Sequence, residues 1–289
     1  MTSRRWSGVW GTAPTLEPPQ VDVLVPTAGR RTELAVTLAG LAAQDDPRFR
    51  VIVSDQSDDA VTERDPTVLA MLRVLAAQGR APLVRRNLPR RGLAQQRQYL
   101  LSLSSAPAVL FLDDDVWLEP GTLARMHDAL DRLDCGFVGS AVQGLSHLND
   151  VRPHEQGYEL WGERATPERI RRGTAQFERW RLHNAANLTH VAAGLELAEG
   201  EWRAYRIAWL GACVLYRRDA LVASGGFDFW EQLPPEHSGE DVAAQWRVME
   251  RFGGAGLLPS GAVHLETPTT VTDRNIDAFD RLFAEEHRQ

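Results

Sequence analysis

The 289-residue sequence predicts an α/β protein with a mostly parallel central sheet and helices on both faces, and three observations lead there. Short apolar runs alternate with stretches of helical periodicity along the first half of the chain. Several of those runs close on polar or acidic residues, as strands do at the ligand-binding edge of an open sheet. One of them, PAVLFLDDDVW at 107–117, carries an apolar strand directly into three consecutive aspartates.

The elements follow in order. A strand over 21–25 stops at Pro26, and a helix over 31–44 shows Leu34, Leu38 and Leu41 at helical spacing. A second strand over 50–54 closes on Asp55, a helix follows over 67–78, and 82–85 forms a short third strand. Residues 92–103 read as a helix and 108–112 as the strand before the aspartates. Pro120 near the first turn opens a helix to Leu133, and 136–142 reads as a strand.

Residues 145–206 break this rhythm. They form a polar stretch rich in tryptophan and arginine, with one helix opened by Thr166 and Pro167. Tyr158, Trp161, Trp180, Trp202 and Tyr205 are either faces for an acceptor or apolar anchors of an irregular segment, and the anchoring role is the commoner one. Alternation resumes at Ile207, a short helix covers 218–224, and Ser238 is the expected N-cap of a helix reaching Phe252. A last strand carries His264, and Ile276, Phe279 and Phe283 mark a C-terminal helix over 273–287. Residues 1–20 read as a disordered tail, and 21–289 as one domain with halves at 21–143 and 144–271, closed by a C-terminal helix within 272–289.

Composition excludes several classes. The net charge of -7 argues against nucleic acid. The 32 Lys and Arg positions are all arginine, so a Schiff-base lysine, a Walker A loop and a kinase strand lysine are all excluded. Cys135 and Cys213 stand alone, without zinc spacing or a disulfide framework, as expected in a reducing compartment. No window approaches the roughly 18 apolar residues of a membrane span. The expectation is a soluble, cytoplasmic protein whose oligomeric state the sequence leaves open.

Three signals carry chemistry. Adjacent carboxylates at Asp113, Asp114 and Asp115 repel one another, and a divalent cation held by hard oxygen ligands is the usual compensation. Ser238-Gly239-Glu240-Asp241 sets two acids at a helix start, where the macrodipole keeps a carboxylate ionised and able to take a proton. His264 offers a neutral imidazole that can complete a carboxylate metal site.

In this order the motifs resemble those of the family 2 glycosyltransferases, over residues 21 to about 265. VPTAGR at 25–30 resembles the family's first-strand turn, which implies nucleobase contacts from Pro26, Thr27 and Arg30. VSDQSDD at 53–59 puts Asp55 in the place of the base-contacting aspartate. RRGLAQQRQ at 90–98 matches with Gly92 and Arg97, and WLGACVLYRR with Gly211, which faces the donor sugar in that family.

The resemblance implies a GT-A (Rossmann-like) fold and a nucleotide diphosphate sugar donor, with a UDP-sugar favoured. Asp113 and Asp114 would sit on the nucleotide sugar, and Asp113, Asp115 and His264 on Mn²⁺ or Mg²⁺. Asp241 would be the general base and Glu240 its orienting partner, in a non-processive, inverting transfer to a glycan, lipid-linked or small-molecule hydroxyl acceptor. Gln56 and Ala28-Gly29 depart from the family's common residues and leave the nucleobase open. Two other classes remain: a phosphohydrolase of the haloacid dehalogenase type, with Asp113 as nucleophile, and a non-catalytic nucleotide- or glycan-binding module on the same fold.

Overall fold

The computed structural model describes residues 5–12, 17–59, 62–269 and 275–283. The first four strands, β1 (Val21–Thr27), β2 (Phe49–Asp55), β3 (Leu83–Arg86) and β4 (Ala108–Leu112), alternate with α1 (Arg31–Ala42), α2 (Pro66–Ala77) and α3 (Leu93–Leu103). All seven residues of β1 and all five of β4 are buried, which is why these strands read as continuous apolar runs rather than alternating ones. The exception inside β1 is Asp22. It accepts two bonds from Arg50 at 2.9 Å and two backbone amides at Ser105 and Ala106, so its charge is fully compensated.

After β4 come β5 (Val116–Leu118), α4 (Thr122–Leu133), β6 (Phe137–Gly139) and β7 (Gln143–Gly144), so the strand expected over 136–142 is confined to 137–139. Then follow α5 (Asn187–Gly194), β8 (Arg203–Tyr205), β9 (Cys213–Arg217), α6 (Arg218–Ala223), α7 (Glu240–Phe252), β10 (Gly254–Leu258), β11 (Ala262–His264) and α8 (Ala278–Leu282). The main sheet has eight strands in the order β3-β2-β1-β4-β9-β6-β10-β8, and a small sheet pairs β5-β11-β7. β1 to β4 run parallel; β9 is antiparallel to both β4 and β6, and β8 is antiparallel to β10. The parallel half thus ends at the aspartates, and the mixed half begins beside them.

Three local expectations are corrected. No helix begins at Thr166-Pro167; that stretch is irregular, and a 3₁₀ turn occurs later at Phe177–His183. The segment is instead fastened by its aromatics: Trp180 stacks on Trp209, Trp202 Nε1 donates to Asp128 at 2.8 Å, Tyr205 is fully buried, and Arg206 lies 3.7 Å from the Trp161 ring centre. Ser238 does not cap α7. Gly239 takes that position in a left-handed conformation, while the Ser238 hydroxyl donates to Asp277. The C-terminal helix spans Ala278–Leu282, with 270–274 and 284–289 outside the described residues. At the N-terminus, residues 7–9 form a 3₁₀ turn and Arg5 pairs with Asp45.

Candidate functional site

The site collects where β1, β2 and β4 end. The turn 113–115 is pinned from α1 by Thr37, whose hydroxyl donates to Asp114 O at 2.8 Å and accepts the Val116 amide at 3.1 Å. A hydroxyl inside an apolar helix face carries no periodicity signal, so sequence reasoning had no means of finding it. From the other side the Asp113 amide donates to Ala212 O at 2.9 Å, tying the aspartates to the loop that holds Gly211.

The three aspartates have different partners. Asp113 accepts Arg97 Nη2 at 2.8 Å. Asp114 accepts Thr27 Oγ1 at 2.6 Å and Arg30 Nη1 at 3.1 Å, yet burial pushes it up to about 7 against those bonds. Asp115 accepts Arg30 Nη1 at 2.5 Å and lies 3.3 Å from His264 Nε2. Burial opposes its ionisation, but His264 and Arg30 together hold it below the usual carboxylate range. Reciprocally, the hydrogen bond to Asp115 raises His264. Because His264 Nδ1 accepts the Glu266 amide at 2.9 Å, the ring proton sits on Nε2 and faces the carboxylate.

Arg97 joins the two acidic motifs. Its side chain is 3 % exposed, and its Nε donates to Glu240 at 3.1 Å while Nη2 reaches Asp113. Burial raises Glu240 despite the guanidinium, and it raises Asp241 with Glu240's charge adding to the effect. Asp241 Oδ1 accepts the Val242 amide at 2.8 Å, and a Cβ on Gly211 would lie 3.6 Å from Asp241 Oδ2. Gln245, one turn further along α7, brackets Leu210 through both its amide atoms and so fixes the loop carrying Gly211.

Gly92 is required by contact. It has φ +92°, and a Cβ there would meet Pro235 O at 2.5 Å and the His237 ring at 2.6 Å. His237 is a second residue that the motifs did not single out. Its Nδ1 donates to Pro234 O at 2.7 Å and its Nε2 accepts the Ala94 amide at 3.2 Å, so the loop before Glu240 caps the start of α3. Gln96 reaches back from α3 to Thr27 O and Ser54 O, closing the β1 and β2 ends together.

A relay runs across those two strand ends. The Gly29 amide donates to Ser57 Oγ at 2.7 Å, and Ser57 Oγ donates to Asp55 Oδ1 at 2.5 Å. Asp55 Oδ2 is buried without a partner, and so is Nη1 of Arg86, the residue paired with Asp55 across β2 and β3. Pro26 lies buried in β1, in register with Ser54. The sequence-predicted residues therefore assemble in two clusters bridged by Arg97, with Asp115 and His264 together and Asp113 turned toward Arg97.

With its Nε2 proton displaced, the His264 imidazole and the Asp115 oxygen 3.3 Å from it would form a donor pair suited to Mn²⁺ or Mg²⁺. Among the described residues no group of three or more His, Cys, Asp or Glu converges, so ligands from outside the protein would have to complete the coordination.

A parallel half ending in an acidic turn and a mixed half opening with paired acids define the GT-A glycosyltransferase fold. Residues 22–196 match the model of glycosyl transferase family 2, and the chain belongs to that family. Similar solved structures include Staphylococcus aureus TarS 1–349, at 17% identity and TM-score 0.54 over 85% of this chain and 60% of that one. Another is the mannosyltransferase PcManGT of Pyrobaculum calidifontis in complex with GDP-Man and Mn²⁺, at 18% identity and TM-score 0.56 over 91% and 63%. TarS 1–349 is also known in complex with UDP-GlcNAc, at 16% identity and TM-score 0.52 over 87% and 60%. The chain thus spans less than two thirds of the length of these structures. No sequence among the curated proteins matches it. No described helix is long and apolar enough to cross a membrane.

Proposed function

We propose that this protein is a metal-dependent, inverting glycosyltransferase that moves one sugar from a nucleotide diphosphate sugar to a hydroxyl acceptor. The observation that carries the reading is the Arg97 bridge, which sets the donor-side Asp113 and the acceptor-side Glu240 on a single buried guanidinium. Two acidic motifs 127 residues apart in sequence are thereby held in a fixed relation, as a reaction with one charge on each side of the anomeric carbon requires.

In this reading the base binds over the β1 and β2 ends. Asp55 Oδ2 and Arg86 Nη1 are a buried acceptor and a buried donor without partners, matching the paired N–H and C=O edge of an imide such as uracil. That supports a UDP-sugar, and TarS, which binds UDP-GlcNAc, is consistent with it. PcManGT takes GDP-Man, and guanine presents a similar N–H and C=O pair, so the nucleobase is settled by binding.

Asp115 and His264 would hold the divalent ion, which when bound neutralises the departing diphosphate. Asp113 is free on the oxygen not given to Arg97 and would meet the ribose. Asp241 takes the acceptor's proton: burial and the neighbouring Glu240 carboxylate make it a stronger base than a solvated aspartate, and Arg97 aligns Glu240 and opposes the effect of burial on it. Gly211, having no side chain, leaves space for the sugar beside Asp241.

The test is calorimetric titration of UDP, GDP and dTDP, each with and without Mn²⁺, followed by determination of the product anomer with the donor that binds. One nucleotide binding about tenfold or more tightly with Mn²⁺ than without it, and inversion at the anomeric carbon, is the expected result. Failure of every nucleotide to bind would remove the donor assignment. Retention of configuration would remove Asp241 as the base.

A further inference from the structure

A cavity of about 280 Å³ has His264 in its lining. Its polar lining is His147, Asp150, Arg152, His183, His264 and Glu266. None of the residues assigned to the nucleotide, from Pro26 to Arg97, takes part. Every lining residue comes from after β6, and His264 alone is shared with the metal pair.

We infer that this cavity is the acceptor subsite and that it takes a neutral, polyhydroxylated group, one end of a glycan or a small polyol, rather than an anionic, aromatic or lipid acceptor. The inference rests on the glycosyltransferase reading. Three features select the chemistry. First, the cations of the lining already have carboxylate partners: Arg152 pairs with Asp150 at 2.9 Å and lies 3.7 Å from Glu155, and His264 faces Asp115 at 3.3 Å, so neither offers an uncompensated charge to a phosphate or carboxylate.

Second, the lining holds more hydrogen-bonding groups than apolar ones. Glu266 accepts the Ser146 hydroxyl and lies 3.5 Å from His147, and His183 meets the Tyr205 hydroxyl at 3.1 Å. Burial pulls His183 down to about 4, so it acts as a neutral donor or acceptor rather than as a cation. Carboxylates and neutral imidazoles at fixed orientations are what a set of vicinal hydroxyls requires. Third, only Val142 and Ala185 contribute apolar side chains, and Trp161, Trp180, Trp202 and Tyr205 are committed to packing. No face is left for an aryl ring or an acyl chain.

The cavity is also wired to the proposed base. Val142 lies two residues past Ser140, whose amide donates to Cys213 O at 3.0 Å, and Gly211, two residues before Cys213, abuts Asp241. The volume lies just below the roughly 300–1,000 Å³ range of small-molecule sites, which fits one sugar ring and its nearest substituents.

The test uses saturation-transfer NMR on the full chain with Mn²⁺ and the nucleotide present. The probes are methyl glycosides of glucose, mannose and galactose, with glycerol 3-phosphate and 1-octanol as the anionic and apolar comparisons. At least one glycoside should bind, and its affinity should fall about tenfold or more in His147→Ala/Asp150→Ala, two exposed positions whose loss removes two hydrogen-bonding partners. The nucleotide Kd, read by calorimetry in the same variant, should stay unchanged. Binding of glycerol 3-phosphate or octanol in preference to the glycosides, silence of all glycosides, or a glycoside signal indifferent to the double substitution would each overturn the assignment. Loss of nucleotide binding in the wild type, with glycosides still bound at the cavity, would instead remove the donor reading and leave the subsite.

Discussion

Arg30 Nη1 stands 2.5 Å from Asp115 Oδ2, the same oxygen that His264 Nε2 approaches to 3.3 Å. The guanidinium thus occupies the neighbourhood of the donor pair and supplies the positive charge that the adjacent aspartates need. Its other amino group is held by Thr267 Oγ1 at 3.1 Å and by the carbonyls of Thr267 and Pro268. A divalent ion bound at Asp115 would therefore compete with Arg30.

That competition gives a first prediction. In the nucleotide-free protein, Arg30→Ala should raise Mn²⁺ affinity by about tenfold, since one unit charge is removed from the carboxylate's immediate surroundings. Electron paramagnetic titration of free Mn²⁺ reads this directly. An unchanged affinity would show that the metal and the guanidinium use different oxygens.

Asp115→Ala should act in the opposite direction. It removes the oxygen of the Asp115–His264 pair, and the Mn²⁺-dependent part of nucleotide binding should fall by about tenfold or more. The metal-independent part, made over Asp55 and the β1 turn, should survive in the same calorimetric titration.

Asp241→Asn separates catalysis from stability. The variant should lose about 10² to 10⁴ in kcat if Asp241 is the base, with nucleotide Kd unchanged. It should also melt about 2–4 °C higher, because a buried carboxylate beside Glu240 is replaced by a neutral isostere. A variant that kept wild-type kcat would transfer the role to Glu240.

Arg97→Met should be costly in another way. It leaves Glu240 buried and Asp113 half-buried without their cation, for a loss of about 3–5 kcal/mol in unfolding free energy. Chemical denaturation measures it. A loss below about 1 kcal/mol would mean that the carboxylates are compensated from elsewhere.

The pH dependence of stability has a definite sign. Burial raises Asp114 to about 7 and raises Glu240 and Asp241, from unfolded values near 4. The folded state then binds more protons, so their contribution favours folding at low pH and is withdrawn as pH rises through that window. His264, raised by Asp115, has the same sign: its contribution is full below its unfolded value of about 6.5 and is lost above its folded one. His183 and His237, lowered by burial, act with the opposite sign but are outnumbered by these raised groups, so the metal-free protein should melt at a higher temperature at pH 6 than at pH 8. Equal melting temperatures would contradict the burial of these carboxylates.

Much of the donor half was legible in the chain. β1, β2 and β4 are buried on both faces and so announce themselves as apolar runs, and their ends place Thr27, Asp55 and Asp113–Asp115 at one edge of the sheet by topology alone. Local periodicity also found α1, α3 and α7. The segment 145–206 was not legible, because its order comes from long-range partners such as Trp202 with Asp128 and Trp180 with Trp209, which leave no period behind. The helix expected at Thr166-Pro167 failed for that reason: a capping signal without an apolar face to bury does not hold a helix. The N-cap at Ser238 failed because Asp277, a distant residue, took the hydroxyl.

The sequence by itself determined the sheet, the residue types at its edge and their order, since strand burial and turn chemistry are set within a few residues. Tertiary structure alone decided that Arg97 bridges Asp113 to Glu240, that His237 clamps the loop before Glu240 onto α3, and that Arg30 shares Asp115 with His264. Each of those contacts except Arg97 with Asp113 closes a loop of 85 residues or more, and such contacts are specified by the packed whole rather than by any local pattern.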